Sequence, residues 1–69
     1  MKLSARNVLP GKIVSIKKGP ISSLVVIEIA PGVKLTASIT SEAVKELKLA
    51  KGKSASAVIK SSSILIGVE

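Results

Sequence analysis

The sequence predicts an all-β domain of the OB type, which is a five-stranded Greek-key barrel with one short helix between strands three and four. Short aliphatic segments are separated by the turn sequences Lys18-Gly19-Pro20, Pro31-Gly32 and Lys51-Gly52. Apolar residues recur with a period of two along most of these segments, and the period becomes helical after the third. A chain of 69 residues has room for one domain, over residues 1–69.

The first two strands are predicted from proline, glycine and aliphatic spacing. The first runs from Gly11 to Lys17 after Pro10, because proline is tolerated at a strand start or edge. The second, from Leu24 to Ala30, is apolar on both alternating faces apart from Glu28. We expect this strand to be covered on both sides and to have two partners.

The third strand and the helix are separated by a change of period. From Val33 to Thr40 apolar and polar residues alternate without a break, as in a half-buried strand. From Ser41 to Leu47 the apolar residues fall on one helical face. Thr40 or Ser41 can cap this helix, and Glu42 suits its positive N-terminal end.

Two more strands complete the predicted barrel. Ser54 to Ile59 alternates as a fourth strand, and Ile64 to Ile66 is the centre of a fifth. The serines Ser61 to Ser63 lie between them, where we expect a bulge or a turn. Three strands, a helix and two strands is the element order of an OB-type barrel, although order alone does not separate a closed barrel from an open sheet.

Composition limits the chemistry of the protein. The chain has no Cys and no His, which excludes disulfides, zinc sites, thiol nucleophiles and histidine bases. Its four acidic residues are scattered, and no serine has an evident base, so we expect neither enzyme activity nor a bound metal cation. Ten Lys, one Arg, eleven Ser and two Thr give an excess of hydrogen-bond donors and a net charge of +7. The donor excess points to an anionic ligand.

The aliphatic content predicts an oligomer. A chain of about 60 residues buries only about 60% of its unfolded surface, and this one is 46% hydrophobic with no aromatic residue, so some aliphatic residues are expected to face another chain. The longest aliphatic run, Leu24 to Ile27, is far too short to span a membrane. The start Met1-Lys2-Leu3-Ser4 lacks the apolar core of a signal peptide, which favours an intracellular protein with no membrane partner.

A resemblance to a known family rests on the segment Ser4-Ala5-Arg6-Asn7 followed by Gly11-Lys12-Ile13. It resembles the opening motif of the molbindin family, the small cytoplasmic molybdate-binding proteins of the Mop, TOBE-like type. The likeness continues through residues 24–29, 34–41, 44–47 and 58–62. It implies an OB-like domain assembled as a cytoplasmic homohexamer, which binds molybdate or tungstate at subunit interfaces for storage or homeostasis, without enzyme activity or an organic cofactor.

The same resemblance implies a set of oxyanion-binding residues. Ser4 and Arg6 match the first half of the site, Lys60 and Ser61 match the second half, and Thr40 matches a hydroxyl just before the helix. Whether Arg6 acts through its side chain or its backbone N–H is open. These five residues are the main predicted molybdate ligands.

A second set of predicted ligands is more distant from the family pattern. Related domains often carry a hydroxyl at the position of Ala43, and its absence leaves open whether Ser41 substitutes for it. The resemblance also points to the loop from Gly19 through Ile21 to Ser22 as a source of backbone donors from a neighbouring chain.

Donor-only chemistry suits molybdate, because a fully deprotonated tetrahedral dianion only accepts hydrogen bonds. Phosphate near neutral pH often carries a proton that needs an acceptor, so a pocket without carboxylates discriminates against it. Sulfate differs from molybdate only in size.

Two other classes of protein are compatible with the composition. The charge of +7 on an OB-type fold also fits a basic nucleic-acid-binding module, but base stacking is worth about 1–3 kcal/mol per base in such grooves and the chain has no aromatic ring. We therefore expect no nucleic-acid partner. A purely structural interaction domain would leave the segment from Ser4 to Asn7 unexplained.

Overall fold

The computed structural model describes residues 3–69. It contains the strands β1 (Asn7–Lys17), β2 (Ser22–Ala30), β3 (Val33–Thr40) and β4 (Ser54–Ile59), with the helix α1 (Ser41–Glu46) between β3 and β4. The strands form one antiparallel sheet in the order β3-β2-β1-β4. This mostly β architecture, with its single α-helix after the third strand, confirms the predicted fold class.

β1 is longer than predicted, because it changes partner along its length. Its first half, from Asn7 to Lys12, pairs with β4, and its second half, from Lys12 to Lys17, pairs with β2. Pro10 therefore lies inside the strand, opposite Ser56 and in the half that pairs only with β4, where one side of the backbone needs no ladder hydrogen bond. A bulge between Ile13 and Ser15 adds a bend after the exchange of partners.

The predicted fifth strand does not form within the sheet of this chain. The three serines after β4 form a 3-10 turn, Ser61–Ser63, in which the Ser63 N–H donates to the Lys60 carbonyl at 2.9 Å. This turn takes the chain away from the end of β4, and residues 64–69 are irregular. Leu65 and Ile66 are 91% and 88% exposed, so two of the three residues of the aliphatic run that predicted a strand have almost no cover from their own chain.

The core lies between the curled sheet and α1. Ile13, Val25, Ile27 and Val44 are buried, and Val44 is the buried residue of the helix. β2 has the two predicted neighbours, β1 and β3, but Leu24 on its other face remains 43% exposed. The second face of β2 is thus only partly covered within one chain.

Gly11 lies where β1 crosses close to β2. A Cβ at this position would be 2.5 Å from the Glu28 carbonyl oxygen and 2.8 Å from Ile27 Cγ2. Contacts this short with backbone cannot be relieved by rotating a side chain, so the approach of the two strands requires glycine.

We predict that Gly11→Ala lowers the free energy of unfolding by about 1–3 kcal/mol, as overpacking of a close contact typically does. Gly67→Ala is the matched control, because nothing lies within 4 Å of a Cβ at Gly67. Urea denaturation at a fixed protein concentration measures both. Equal midpoints for the two variants would contradict the packing assigned to Gly11.

Candidate functional site

Four of the five main predicted ligands lie where β1 begins and β4 ends, whereas the fifth, Thr40, lies at the start of α1. Asn7 and Ile59 are cross-strand partners, so continuing the antiparallel register places Arg6 beside Lys60. Ser4, Arg6, Lys60 and Ser61 are all exposed. We call these four residues the first donor group.

Asn7 holds the two segments of this group together. Its Nδ2 donates to the Ile59 carbonyl at 3.3 Å and lies 3.5 Å from Ser61 Oγ. Sequence reasoning quoted Asn7 only as part of a motif and assigned it no role. Its side-chain amide at the end of a recognised motif is the signal that could have identified it.

The other predicted ligands meet at the opposite end of β1, around the start of α1. Thr40 and Ser22 are cross-strand partners, and the Ser41 N–H donates to the Ile21 carbonyl at 2.8 Å. Together with Gly19 these residues form what we call the second donor group. They place a hydroxyl-bearing helix start against the loop that leads into β2.

Thr40 is the helix cap and still has a proton to donate. Its Oγ1 accepts a hydrogen bond from the Ala43 N–H at 3.1 Å, which satisfies one of the free N–H groups at the start of a helix. A hydroxyl can accept and donate at once. The Thr40 hydroxyl can therefore donate to an anion while it caps α1.

Ser41 has a different role, because its hydroxyl proton is already used. Ser41 Oγ donates to the Gly19 carbonyl at 2.5 Å and lies 2.6 Å from Ser23 Oγ. With its one proton on Gly19, Ser41 accepts from Ser23. Ser41 therefore ties the loop to the helix, and its hydroxyl proton is committed within the chain. Its role as a substitute for the hydroxyl missing at Ala43 stays a prediction.

Ser23 is the buried polar residue of this network, at 1% exposure. Sequence reasoning missed it, although a signal was present, because Ser23 is in phase with the buried Val25 and Ile27 on β2. A serine on an inward-facing strand position requires a hydrogen-bond partner, and here the partner is Ser41.

The two donor groups are far apart within one chain. They lie at opposite ends of β1, a strand of 11 residues, and at roughly 3.3 Å per residue such a strand spans about 30 Å when straight. Among residues 3–69 no hydrogen bond connects one group with the other. One chain therefore presents two separate sets of donors.

Neither a cation site nor a membrane span is found in the described part of the chain. Residues 3–69 contain no cluster of three or more His, Cys, Asp or Glu side chains that could hold a metal ion. In the same residues no helix has the length and apolar character needed to cross a membrane.

Comparison with known proteins identifies the family. Residues 3–66 match the TOBE domain, so the chain belongs to the TOBE-domain family, and the resemblance to molbindins is confirmed. It is 49% identical over 69 residues, all of both chains, to a protein of Haemophilus influenzae described as a probable molybdenum-pterin-binding protein.

Two solved structures share the fold. A molybdate-binding protein from Sporomusa ovata has a TM-score of 0.92 and 31% identity, with 99% of this chain and 100% of that chain covered. The cytoplasmic molybdate-binding protein ModG, solved with molybdate bound, has a TM-score of 0.95 and 43% identity, with 100% of this chain and 49% of that chain covered.

We predict that Ser23→Ala loosens the second donor group. Loss of this buried partner of Ser41 should reduce stability by about 1–3 kcal/mol and speed hydrogen exchange at the Ser41 amide, which is bonded to Ile21. Ser23→Thr keeps the hydroxyl and should restore protection. Ser15→Ala, at an exposed position of β1, is the control. Unchanged hydrogen exchange at the Ser41 amide in Ser23→Ala would contradict the role assigned to the Ser23–Ser41 hydrogen bond.

Proposed function

We propose that this protein binds molybdate, or tungstate, at sites formed between subunits, and that it stores the oxyanion in the cytoplasm. The observation that carries the proposal is the placement of the two donor groups at opposite ends of β1, with Ser4, Arg6, Thr40, Lys60 and Ser61 exposed. A site that uses both groups needs the first group of one chain and the second group of another. The molybdate-binding relatives support the choice of ligand.

The chemistry of the two groups suits a dianion without protons. Lys60 offers a charged donor, while Ser4, Ser61 and Thr40 offer hydroxyls, and neither donor group contains a carboxylate. Hydrogen bonds to a charged partner contribute about 1.5–3 kcal/mol each. An anion that only accepts hydrogen bonds is favoured here over one that also carries a proton.

The exposed aliphatic residues support assembly into an oligomer, which we propose is a homohexamer. Leu65, Ile66 and Val68 at the end of the chain are 91%, 88% and 92% exposed. β3 and β4 are the edges of the sheet, and an edge strand has free backbone groups that another chain can pair with. We infer that the aliphatic end of one chain packs on a second copy, which covers it.

In this proposal the protein catalyses no reaction, and the oxyanion site needs no organic cofactor. Nucleic acid is not a partner, because binding through phosphate charges alone weakens steeply with salt and no aromatic side chain is available for stacking. Hydrogen bonds in a partly desolvated interface are screened less by salt. Molybdate binding should therefore persist at physiological ionic strength.

We predict that the protein sediments at a mass six times that of the 7.1 kDa chain and that Leu24→Glu reduces it to the monomer. An unpaired charge in an apolar contact is strongly unfavourable. Ala50→Glu adds the same charge at an exposed position outside the sheet and should leave the mass unchanged. Sedimentation equilibrium at micromolar concentration gives both masses, and a stable wild-type monomer would refute the intersubunit site.

We predict that Lys60→Ala weakens molybdate binding about tenfold to a hundredfold, the equivalent of one charge-assisted hydrogen bond. Lys34→Ala removes the same charge from an exposed position on β3 and should leave affinity unchanged. Isothermal titration at physiological salt measures both affinities. Tungstate should bind as molybdate does, whereas phosphate and single-stranded oligonucleotide should give no saturable heat. Unchanged affinity in Lys60→Ala would refute the site.

Mixed oligomers test whether the two groups come from different chains. Thr40→Asp keeps an acceptor for the helix cap but removes the free proton and adds a repelling charge, so it should abolish molybdate binding. Lys60→Ala, as above, should weaken it. When the two variants are co-expressed, random pairing across an intersubunit site should restore roughly one site in four. A lack of recovery in the mixed oligomer would place both groups of each site on one chain.

A further inference from the structure

We propose that the cavity beside α1 is a second binding site, for a phosphorylated small molecule with an apolar body. This cavity, which we call the α1 cavity, has a volume of about 350 Å³. Its lining includes Lys18, Lys45 and Lys48, the apolar Val44 and Leu49, and Gly19 and Ser41, which it shares with the second donor group. It lies within one chain, and its lysines belong to neither donor group.

The cavity has unneutralised positive charge. Three of its lining residues are lysines and none is Asp or Glu. Lys53 is engaged elsewhere, since its Nζ donates to the carbonyls of Leu47 and Lys48. Within residues 3–69 the ammonium groups of the three lining lysines have no hydrogen-bond partner. Each of them is available to an anion in the cavity.

Lys48 has a backbone conformation that favours glycine. The helix ends in a Schellman motif, in which the Lys48 N–H donates to the Lys45 carbonyl at 3.1 Å and the Leu49 N–H donates to the Val44 carbonyl at 3.0 Å. The residue after the cap is left-handed in this motif, which is why it is usually glycine. Lys48 takes that position with φ 53°. The lysine gives up the conformational freedom of glycine here, while its positive charge suits both the negative end of the helix and the cavity wall.

The size and the floor of the cavity indicate the class of ligand. Val44, buried to 4% exposure, and Leu49 give it an apolar floor. Pockets for small molecules start at about 300 Å³, whereas a water molecule occupies about 30 Å³, so a single tetrahedral oxyanion would leave most of the volume empty. A phosphate ester fits both parts, with its phosphoryl group among the lysines and its body on the floor.

Isothermal titration of the intact protein with AMP, adenosine and inorganic phosphate tests the proposal. In roughly physiological salt, where loose surface pairing is screened, we expect AMP to bind with one site per chain. Adenosine and phosphate, each lacking half of the recognised chemistry, should bind at least about tenfold more weakly. The absence of saturable AMP binding would overturn the proposal.

Lys48→Gly separates a binding role from a structural one. Glycine relieves the left-handed conformation, so the variant should be at least as stable as the wild type by urea denaturation, yet it should bind AMP at least about tenfold more weakly. Lys45→Ala should show the same loss of affinity, and Lys34→Ala, which removes the same charge outside the cavity, should not.

Molybdate affinity distinguishes this proposal from the preceding one, because Lys45 and Lys48 lie outside both donor groups and their variants should bind molybdate normally. If the wild type did not bind molybdate, the proposed function would fail, whereas the AMP titration would still test the α1 cavity independently. If Lys34→Ala weakened AMP binding as much as Lys48→Gly, diffuse surface charge would explain the binding and the site would be refuted.

Discussion

The sharing of β1 between two partners is the constraint on which the rest of this structure depends. The strand pairs with β4 before Lys12 and with β2 after it, which curls the sheet around Ile13, the core residue with 1% exposure. Gly11 permits the close approach at the point of exchange. The same geometry sends the two ends of β1 to opposite sides of the domain, and each end gathers its own set of donors.

Hydroxyl groups in this protein divide into those that hold the fold and those that are free to bind. The Ser23 and Ser41 hydroxyls are satisfied by each other and by the Gly19 carbonyl, which fixes the loop against the helix. Thr40, one residue before Ser41, uses only its acceptor. Neighbouring residues of similar chemistry thus differ in whether their hydroxyl protons are already committed within the chain, and sequence alone does not show this.

Local periodicity predicted the elements whose pattern is complete within a few residues. β3 has the predicted bounds and α1 begins at the predicted residue. The start of β1 was missed because Asn7 pairs with Ile59, a partner 52 residues away that no local pattern encodes. The fifth strand was predicted because an aliphatic run suits an interface between chains as well as a strand. The candidate ligands came from a motif, while their separation into two groups required coordinates.

The placement of one donor group at each end of a chain has a consequence for gene dosage. In an assembly where each site combines the first donor group of one chain with the second donor group of another, a chain altered in both groups takes part in two sites. It inactivates both of them, although the other half of each site comes from a normal chain. In a cell that makes normal and altered chains together, the loss of capacity would exceed the fraction of altered protein. Such an allele would act as a dominant negative, although every normal subunit remains correctly folded.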